Sequence, residues 1–237
     1  MKILAIDTSS NICSVCILED DQVILKKDAV DSRTHSQKLM PMIDEVFKQT
    51  HLSLKEMDLL ACCIGPGSFT GVRIGVATIK AFADSTHIPV VGISSLEGLA
   101  HNVQNSYFKD ETNYVCSMID AKNDNVYYGL FKEHDGKYQP IGKFSAKNIH
   151  TVIEELDTTI SAPIIFVGDG AIEHKYTILE KLKKSIFVVD AFHRPTSISI
   201  GQCAYYQYKQ GHYGDSNSLS PLYLRKSQAE RALEGEK

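Results

Sequence analysis

The sequence predicts an α/β protein built from two similar halves, each with a mixed β-sheet flanked by helices. Three observations predict this class. Each half contains three strand-like segments followed by alternating helices and strands. An apolar strand ending in Ile-Asp opens each half, in "AIDTSSN" and "MIDAKND". A G-x-G turn then leads from the fourth strand of each half into a helix, in "IGPGS" and "VGDGA". Two echoes in the same order favour a duplication.

The first lobe is assigned to residues 1–105. Its strands are short apolar runs bounded by polar turns, and its helices repeat apolar residues at helical spacing. In order, we predict the strands "KILAID", "ICSVCIL" and "QVILKK", the helix "THSQKLMPMIDEVFKQ", the strand "LLACCI", the helix "FTGVRIGVATIKAFAD", the strand "VVGIS" and the helix "SLEGLAHNV".

The second lobe is assigned to residues 106–237 and repeats this order. Its predicted elements are the strands "YVCSMID", "VYYGLF" and "YQPIGKF", the helix "AKNIHTVIEEL", the strand "PIIFVG", the helix "EHKYTILEKLKK", the strand "IFVVD" and the helix "SISIGQCAYYQYKQ". Whether the C-terminal segment packs back on the first lobe is left open. The order is that of the duplicated actin-like fold of actin, hexokinase and Hsp70, also called the ASKHA or RNase H-like fold.

Composition excludes several classes of protein. The net charge of −4 gives no basic field for a principal nucleic-acid binder. The chain lacks the run of about 20 apolar residues that a membrane helix needs, and it begins with no signal-peptide pattern. We therefore expect a cytoplasmic protein. The six cysteines are interpreted as buried, reduced thiols, and we predict no metal site.

Proteins of this fold often bind ATP between their lobes, where backbone N–H groups surround the phosphates. The turns "DTSS" and "DAKN" supply carboxylates but no glycines, and "GPGSFTGVRIG" lacks the lysine of a phosphate-binding P-loop. Asp7 and Ser68 are equally compatible with capping roles. We predict no catalytic residue, and a vestigial nucleotide or anion site at Asp7, Thr8, Gly65, Gly67 and Ser68.

The helix predicted over residues 70–84 is apolar on more sides than one sheet can cover. Gly71 and Gly75, one turn apart, remove side chains from the middle of its apolar arc. Glycine in a helix is costly, so another backbone is expected to approach here. That backbone belongs either to this chain or to a partner, and spacing alone does not decide. We predict a partner interface at Leu39, Met42, Ile43, Val46, Phe69, Gly71, Arg73, Gly75 and Thr78.

Six segments together resemble the TsaB family, also called YeaZ: "ILAIDTS", "HSQKLMPMIDEVF", "GPGSFTGVRIG", "IDAKNDNVYYG", "VGDG" and "SPLYLR". The resemblance covers nearly the whole chain, and "GPGSFTGVRIG" is its most specific segment. It implies a bacterial subunit of the machinery that makes threonylcarbamoyladenosine (t6A) in tRNA. It also implies an actin-like fold without a catalytic site of its own.

The resemblance further implies partners. The paralogue TsaD would carry the metal and transfer the threonylcarbamoyl group, and an ATPase, TsaE, would join the pair. The pairing surface would be formed by helices beginning near His35 and Thr70, and the chain alone would self-associate as a homodimer. ATP or ADP is expected only at the subunit junction, and tRNA only indirectly through the complex.

Two other functions remain as alternatives. An independent ATP-dependent kinase or ATPase would use Asp7, Asp120 and the G-x-G turns. A glycoprotease of the M22 type is least supported, because no HExxH pattern or GxSxG elbow occurs.

Overall fold

The computed structural model describes residues 1–30, 35–104, 112–189 and 192–225. Across these ranges the strands are β1 (Lys2–Asp7), β2 (Ile12–Glu19), β3 (Gln22–Val30), β4 (Leu59–Gly65), β5 (Val90–Ser94), β6 (Tyr114–Asp120), β7 (Asn125–His134), β8 (Lys137–Asn148), β9 (Ile164–Val167) and β10 (Ser185–Phe187). The α-helices are α1 (His35–Thr50), α2 (Phe69–Thr86), α3 (Ser95–Gln104), α4 (Ile149–Thr159), α5 (Asp169–Glu173), α6 (Lys175–Lys181) and α7 (Ser197–Lys209).

These strands form two five-stranded sheets with the same strand order. The first sheet runs β3-β2-β1-β4-β5 and the second runs β8-β7-β6-β9-β10. In each sheet the first three strands in sequence pair antiparallel, and the last two join in parallel register. The predicted duplicated α/β fold is confirmed. The predicted boundary between residues 105 and 106 lies outside the described residues.

Helices cover both faces of the first sheet. Leu4 and Ile6 of β1 point into a cluster with residues of α1 and α2, whereas Ile3 and Ala5 point into a cluster with residues of α7. All four side chains are fully buried. A strand buried on both faces needs a continuous apolar run, which is why "KILA" shows no alternation in the sequence.

Two helices cross to the sheet of the other half. Helix α3 follows the first sheet in sequence, but its Leu99 belongs to a core cluster of the second sheet. Helix α7 follows the second sheet, but its Ile200 belongs to a core cluster of the first. The two helices contact each other where Gly98 leaves room, since a β-carbon there would lie 3.0 Å from Ile200 Cδ1. The halves are therefore interlocked by a reciprocal exchange of helices.

After α7, residues 210–225 run back over the first sheet as a segment that we call the C-terminal strap. Gly214 exchanges two backbone hydrogen bonds with Val90 of the edge strand β5, of 2.9 and 3.0 Å. Further along, the Leu219 side chain is 3% exposed and packs into the core between the first sheet and α2. The strap thus covers an edge of the sheet that would otherwise be unpaired.

The strap then crosses to the second half. The Leu222 N–H donates to the carbonyl of Ile64 at the end of β4, at 2.8 Å. Arg225 Nη1 donates to the carbonyl of Ala121, just after β6, at 3.1 Å. One segment of chain therefore joins the end of β4 in the first sheet to the end of β6 in the second.

Two helices differ from their predicted bounds by more than two residues at one end or both. The helix predicted from Ala146 begins instead at Ile149, because residues 146–148 remain paired with β7 as part of β8. Asn148 then caps the helix by accepting a hydrogen bond from the His150 N–H. The helix predicted over residues 173–184 is shorter, since α6 spans only Lys175–Lys181, and a separate short helix, α5, precedes it; the two are separated at His174, where the backbone leaves the helical region. Within the described ranges no helix combines the length and apolar character needed to cross a bilayer.

Ile200→Ala is expected to lower the free energy of unfolding by about 2–5 kcal/mol, because it opens a cavity where α7 meets the first sheet and α3. The matched control is Ile172→Ala, at a position 40% exposed, which should cost much less. Urea denaturation followed by circular dichroism measures both losses. Equal losses would contradict the role assigned to α7.

Candidate functional site

The turn after β1 packs directly on the first turns of α2. The Ser68 N–H donates to the carbonyl of Ser9 at 2.7 Å, and Thr8 Oγ1 donates to the carbonyl of Gly71 at 2.7 Å. Thr8 and Gly71 are 63 residues apart in sequence. The contact therefore fixes the carboxyl end of β1 against the amino end of α2.

Three glycines at four-residue spacing make this contact sterically feasible. A β-carbon at Gly67 would overlap the carbonyl oxygen of Ser9. One at Gly71 would overlap the carbonyl oxygen of Thr8, and one at Gly75 would lie 2.5 Å from Thr8 Oγ1. The close approach predicted from the sequence exists, but the atoms that approach Gly71 and Gly75, a backbone carbonyl and the hydroxyl of Thr8, belong to this chain. The interpretation of Gly71 and Gly75 as partner contacts is therefore corrected.

The G-x-G turn of the second half makes a similar contact with β6. A β-carbon at Gly168 would overlap the carbonyl oxygen of Met118. One at Gly170 would lie 2.8 Å from the carbonyl carbon of Ile119. In both halves, glycine thus lets the helix after the fourth strand close on the end of the first strand, so the duplication extends to local geometry.

A cleft of about 420 Å³ lies between the two halves. The turn after β1 and the start of α2 form one wall. The end of β6, the start of α5 and the segment before α7 form the other. Its polar lining residues are Ser9, Ser10, Asn11, Ser68, Asp120, Lys122, Asp169, His193 and Arg194. This composition combines hydroxyl groups with charges of both signs.

The carboxylates of the second wall are engaged locally. Asp120 accepts hydrogen bonds from the backbone N–H and from Nζ of Lys122, and its own N–H donates to Asp169 Oδ1 at 3.1 Å. Partial burial raises the pKa of Asp120, but the hydrogen bonds and charge of Lys122 outweigh it and hold that pKa below its ordinary value. Burial raises the pKa of Asp169. The ionised Asp120 is thus neutralised by Lys122.

The imidazole of His193 supports the second G-x-G turn. Its Nδ1 accepts from the Gly168 N–H at 3.0 Å, so the proton of the neutral ring lies on Nε2, which donates to the carbonyl of Val188 at 2.9 Å. Both nitrogens are used and the residue is buried. His193 therefore positions the turn and does not present a free base to the cleft.

Asp7 is sealed beneath the turn that it begins. The residue is 1% exposed, and its Oδ1 accepts from the Ser9 N–H at 2.8 Å. Its Oδ2 has no hydrogen-bond partner within the part of the chain that the structure describes. Burial raises the pKa of Asp7, because a carboxylate is poorly solvated there. The site favours a neutral carboxyl and does not present Asp7 to the cleft.

The predicted nucleotide or anion site is corrected in part. Gly67 and Ser68 line the cleft, as expected for such a site. Asp7 and Thr8 are each 1% exposed, and the buried Gly65 packs against the Leu222 carbonyl of the strap. These three do not reach the cleft, because α2 closes over the end of β1. The lining residues that the prediction missed on this wall are Ser9, Ser10 and Asn11, which follow Asp7 directly in the sequence.

Three backbone donors beside the cleft are unavailable to the phosphate cradle that the fold implies for ATP. Such a cradle needs unpaired backbone N–H groups. The N–H groups of Ser9 and Lys122 bond to the aspartates that begin their own turns, and that of Gly71 bonds to Ser68 Oγ at 3.2 Å. These donors are satisfied within the chain, so we derive no phosphoryl transfer at this cleft.

Four of the residues predicted to contact a partner lie in the core of the first half. The side chains of α1 named in that prediction are at most 8% exposed and pack on the first sheet. They are Leu39, Met42, Ile43 and Val46. The prediction that they contact a partner is corrected, because this chain already covers these apolar side chains.

The remaining residues of that prediction lie at or near the surface of α2. Phe69 and Arg73 are exposed, and Thr78 is half-buried with its hydroxyl bonded to the Ile74 carbonyl. A partner contact at these positions stays a prediction. The sequence analysis did not single out Tyr223 of the strap, whose hydroxyl accepts from Arg73 Nε at 2.7 Å. It had no local signal, because the two residues are 150 positions apart.

The cysteines are free thiols, and five of the six are buried. Burial raises the pKa of Cys13 to about 11 and that of Cys16 to about 12. Burial is observed for five of the six cysteines, whereas Cys203 is half-buried; that the thiols are kept reduced stays a prediction. Over the described ranges, no group of three or more His, Cys, Asp or Glu side chains is placed to hold a metal ion.

Fold and site together define a duplicated actin-like protein. The ROK hexokinase of Thermus thermophilus shares the fold, with a TM-score of 0.55 at 9% identity over 89% of this chain and 100% of that one. A sequence model of the family described as TsaD, tRNA N6-adenosine threonylcarbamoyltransferase, matches residues 28–233. The chain belongs to this family and, within it, to the TsaB (YeaZ) proteins.

The relatives that carry this assignment are bacterial. The tRNA threonylcarbamoyladenosine biosynthesis protein TsaB of Bacillus subtilis is 29% identical over 97% of this chain and 96% of its own. TsaB of Buchnera aphidicola subsp. Schizaphis graminum is 32% identical over 71% of this chain and 78% of its own. A crystal structure of an uncharacterized protein with similarity to peptidase YEAZ from Pseudomonas aeruginosa has a TM-score of 0.80 at 26% identity. The match covers 94% of this chain and 99% of that one. These relatives support a role in t6A biosynthesis.

Gly71→Ala is expected to destabilise the protein more than Gly75→Ala. At residue 71 the new methyl group meets a backbone carbonyl, which cannot move without shifting β1, whereas at residue 75 it meets the end of a side chain. The first variant should lose about 1–3 kcal/mol of unfolding free energy. Helix propensity changes equally in both variants, so their difference isolates the contact. Equal melting temperatures would contradict the packing described.

Asp7→Asn is expected to flatten the decrease in stability with rising pH. A raised pKa in the folded state means that Asp7 contributes stability below its unfolded pKa of about 4, and that this contribution is lost as the pH rises through the folded pKa. The variant should therefore gain stability relative to the parent as the pH rises above about 4, measured as melting temperature. Asp84→Asn, at an exposed position, is the control. Parallel pH profiles for parent and Asp7→Asn would rule out this role for Asp7.

Proposed function

We propose that this chain is a non-catalytic subunit that activates a TsaD-like paralogue in t6A synthesis, and that it pairs with that paralogue through its first half. The observation that carries the proposal is the closed end of β1. An actin-fold phosphotransferase needs a carboxylate and free N–H groups facing its cleft. Here Asp7 is sealed and the N–H of Ser9 is bonded to it.

The glycoprotease alternative has little chemical support. A nucleophilic cysteine needs a lowered pKa, yet burial raises the pKa of each of the six thiols. His193, the buried histidine of the cleft, has both ring nitrogens bonded. Neither arrangement supplies an activated nucleophile.

The pairing surface that we propose is the outer face of α2 beside α1. Its exposed row is Arg73, Ala77 and Ala81, one turn apart, with Ile74 and Thr78 half-buried alongside. Short side chains in the middle of this row allow a second helix to approach closely. On α1, Met40 is 50% exposed and adds an adaptable apolar contact.

The wider assembly that we propose is the one that the family resemblance implies. In the complex, a TsaE-like ATPase joins the pair, and tRNA contacts the chain only indirectly. ATP or ADP binds at the junction of subunits and not in the cleft of this chain. Without its paralogue, the chain forms a homodimer through the same surface, and it works in the cytoplasm.

Ala77→Arg is expected to abolish pairing with the TsaD-like paralogue at micromolar concentrations, because it places a long charged side chain in the middle of the exposed row. Size-exclusion chromatography of the mixed full-length proteins measures heterodimer formation. Thr151→Arg, on the exposed face of α4, is the matched control and should pair like the parent. Circular dichroism verifies that both variants are folded.

Separate elution of the two parent proteins would count against the pairing itself. Unchanged pairing of Ala77→Arg would move the contact away from α2.

The ATP-dependent alternative has the cleft carboxylates Asp120 and Asp169 in its favour. It predicts that Mg–ATP binds the isolated chain with a Kd below about 10 μM and is turned over. Calorimetry detects both the binding and the turnover. Our proposal predicts neither.

A further inference from the structure

Three side chains from distant parts of the sequence form an exposed cluster at the start of α2. Phe69 and Arg73 lie one helical turn apart, and Tyr223 comes from the C-terminal strap. The guanidinium carbon of Arg73 lies 3.8 Å from the centre of the Phe69 ring, and the two aromatic rings are 5.2 Å apart. Arg73 Nε donates to the Tyr223 hydroxyl at 2.7 Å. We call this set the aromatic–arginine cluster.

The cluster is rigid for a surface feature, yet it stays accessible. Phe69 is 40% and Tyr223 is 47% exposed. Two hydrogen bonds fix the strap on either side of Tyr223. The Leu222 N–H donates to the Ile64 carbonyl, and Arg225 Nη1 donates to the Ala121 carbonyl. Stacking and the Tyr223 hydroxyl hold Arg73 in place, so little side-chain entropy remains to be lost on binding.

The guanidinium retains unused donors. Its hydrogen bond to Tyr223 uses Nε and leaves the two terminal nitrogens. Within the described part of the chain, no Asp or Glu forms an ion pair with Arg73. An arginine oriented by its neighbours with both terminal nitrogens available is complementary to a carboxylate, which it can bind with two parallel hydrogen bonds.

We propose that the aromatic–arginine cluster is the anchor of the partner interface, where Arg73 binds a carboxylate of the TsaD-like paralogue while Phe69 and Tyr223 pack on its apolar surroundings. This inference rests on the proposed function. It adds the C-terminal strap to an interface otherwise formed by helices and specifies an acidic side chain on the partner.

The surroundings favour a protein over a nucleic acid as the occupant. Beyond Arg73, the exposed row of α2 continues with Ala77 and Ala81 and then Asp84, which offers no second cation to a phosphate backbone. Nζ of Lys80, on the same helix, donates to the Leu219 carbonyl at 3.1 Å. Exposed aromatic residues combined with arginine are the composition typical of protein-interface hot spots.

Calorimetric titration of the full-length paralogue with full-length variants tests the proposal. Arg73→Met keeps the apolar stem of the side chain but loses the guanidinium, and Tyr223→Ala removes the ring and hydroxyl that orient it. Each should weaken Kd at least about tenfold. The parent Kd should weaken between 50 and 500 mM salt, and Arg73→Met should lose most of that dependence.

Two matched controls separate the cluster from general effects. Tyr176→Ala removes a tyrosine that is 89% exposed on α6, and Lys143→Met removes an exposed cation of β8. Both should bind like the parent. Should Tyr223→Ala fail to fold, Arg73→Met and its salt dependence still decide.

The outcomes distinguish this inference from the proposed function. If the parent protein does not bind the paralogue, both are overturned. A second outcome overturns only the anchor. In it the parent binds the paralogue and Ala77→Arg does not, while Arg73→Met and Tyr223→Ala both bind with the affinity of their controls. Loss of homodimerisation or of tRNA binding in Arg73→Met, with unchanged affinity for the paralogue, would likewise overturn it by assigning the cluster another occupant.

Discussion

The contact between the turn after β1 and the start of α2 is the constraint on which the rest of the site depends. It brings the two segments so close that a β-carbon at Gly67 or Gly71 would overlap a backbone carbonyl oxygen, and one at Gly75 would meet the Thr8 hydroxyl. The same contact buries Asp7 and directs Ser9 toward the cleft. It also fixes the direction of α2, and with it the surface that the helix presents to solvent.

The exchange of α3 and α7 gives this contact a rigid frame. Each helix completes the core of the opposite half, so a change in the angle between the halves would have to separate fully buried residues such as Leu99 and Ile200 from the sheets that they cover. The strap adds a second connection through Arg225. A cleft held in this way suits a scaffold, whereas an enzyme that closes on its substrate needs a hinge.

Local patterns predicted most of the fold, because helix and strand periods are short-range properties of the sequence. Strand β1 was predicted with its observed bounds, and the two echoes predicted the duplication. The glycine spacing of α2 also predicted a close approach at Gly71 and Gly75, but it could not say whether this chain or a partner makes it. The partner surface predicted on α1 was too large, because one helix alone does not reveal that Leu39 and Val46 are covered by the sheet. The strap has no periodicity, so the position of Tyr223 beside Arg73 depends on a contact that only the folded chain defines.

These observations connect the proposed loss of catalysis to the proposed gain of a pairing surface. Packing Thr8 and Ser9 onto the glycines of α2 uses the N–H groups and the carboxylate that a phosphate site would need. The inner face of α2 is thereby committed to the end of β1. Its outer face, where Arg73 stacks on the Phe69 ring beside Tyr223, is left as the accessible surface. In a scaffold that pairs through α2, one backbone contact would both close the ancestral type of active site and orient the helix that binds the partner.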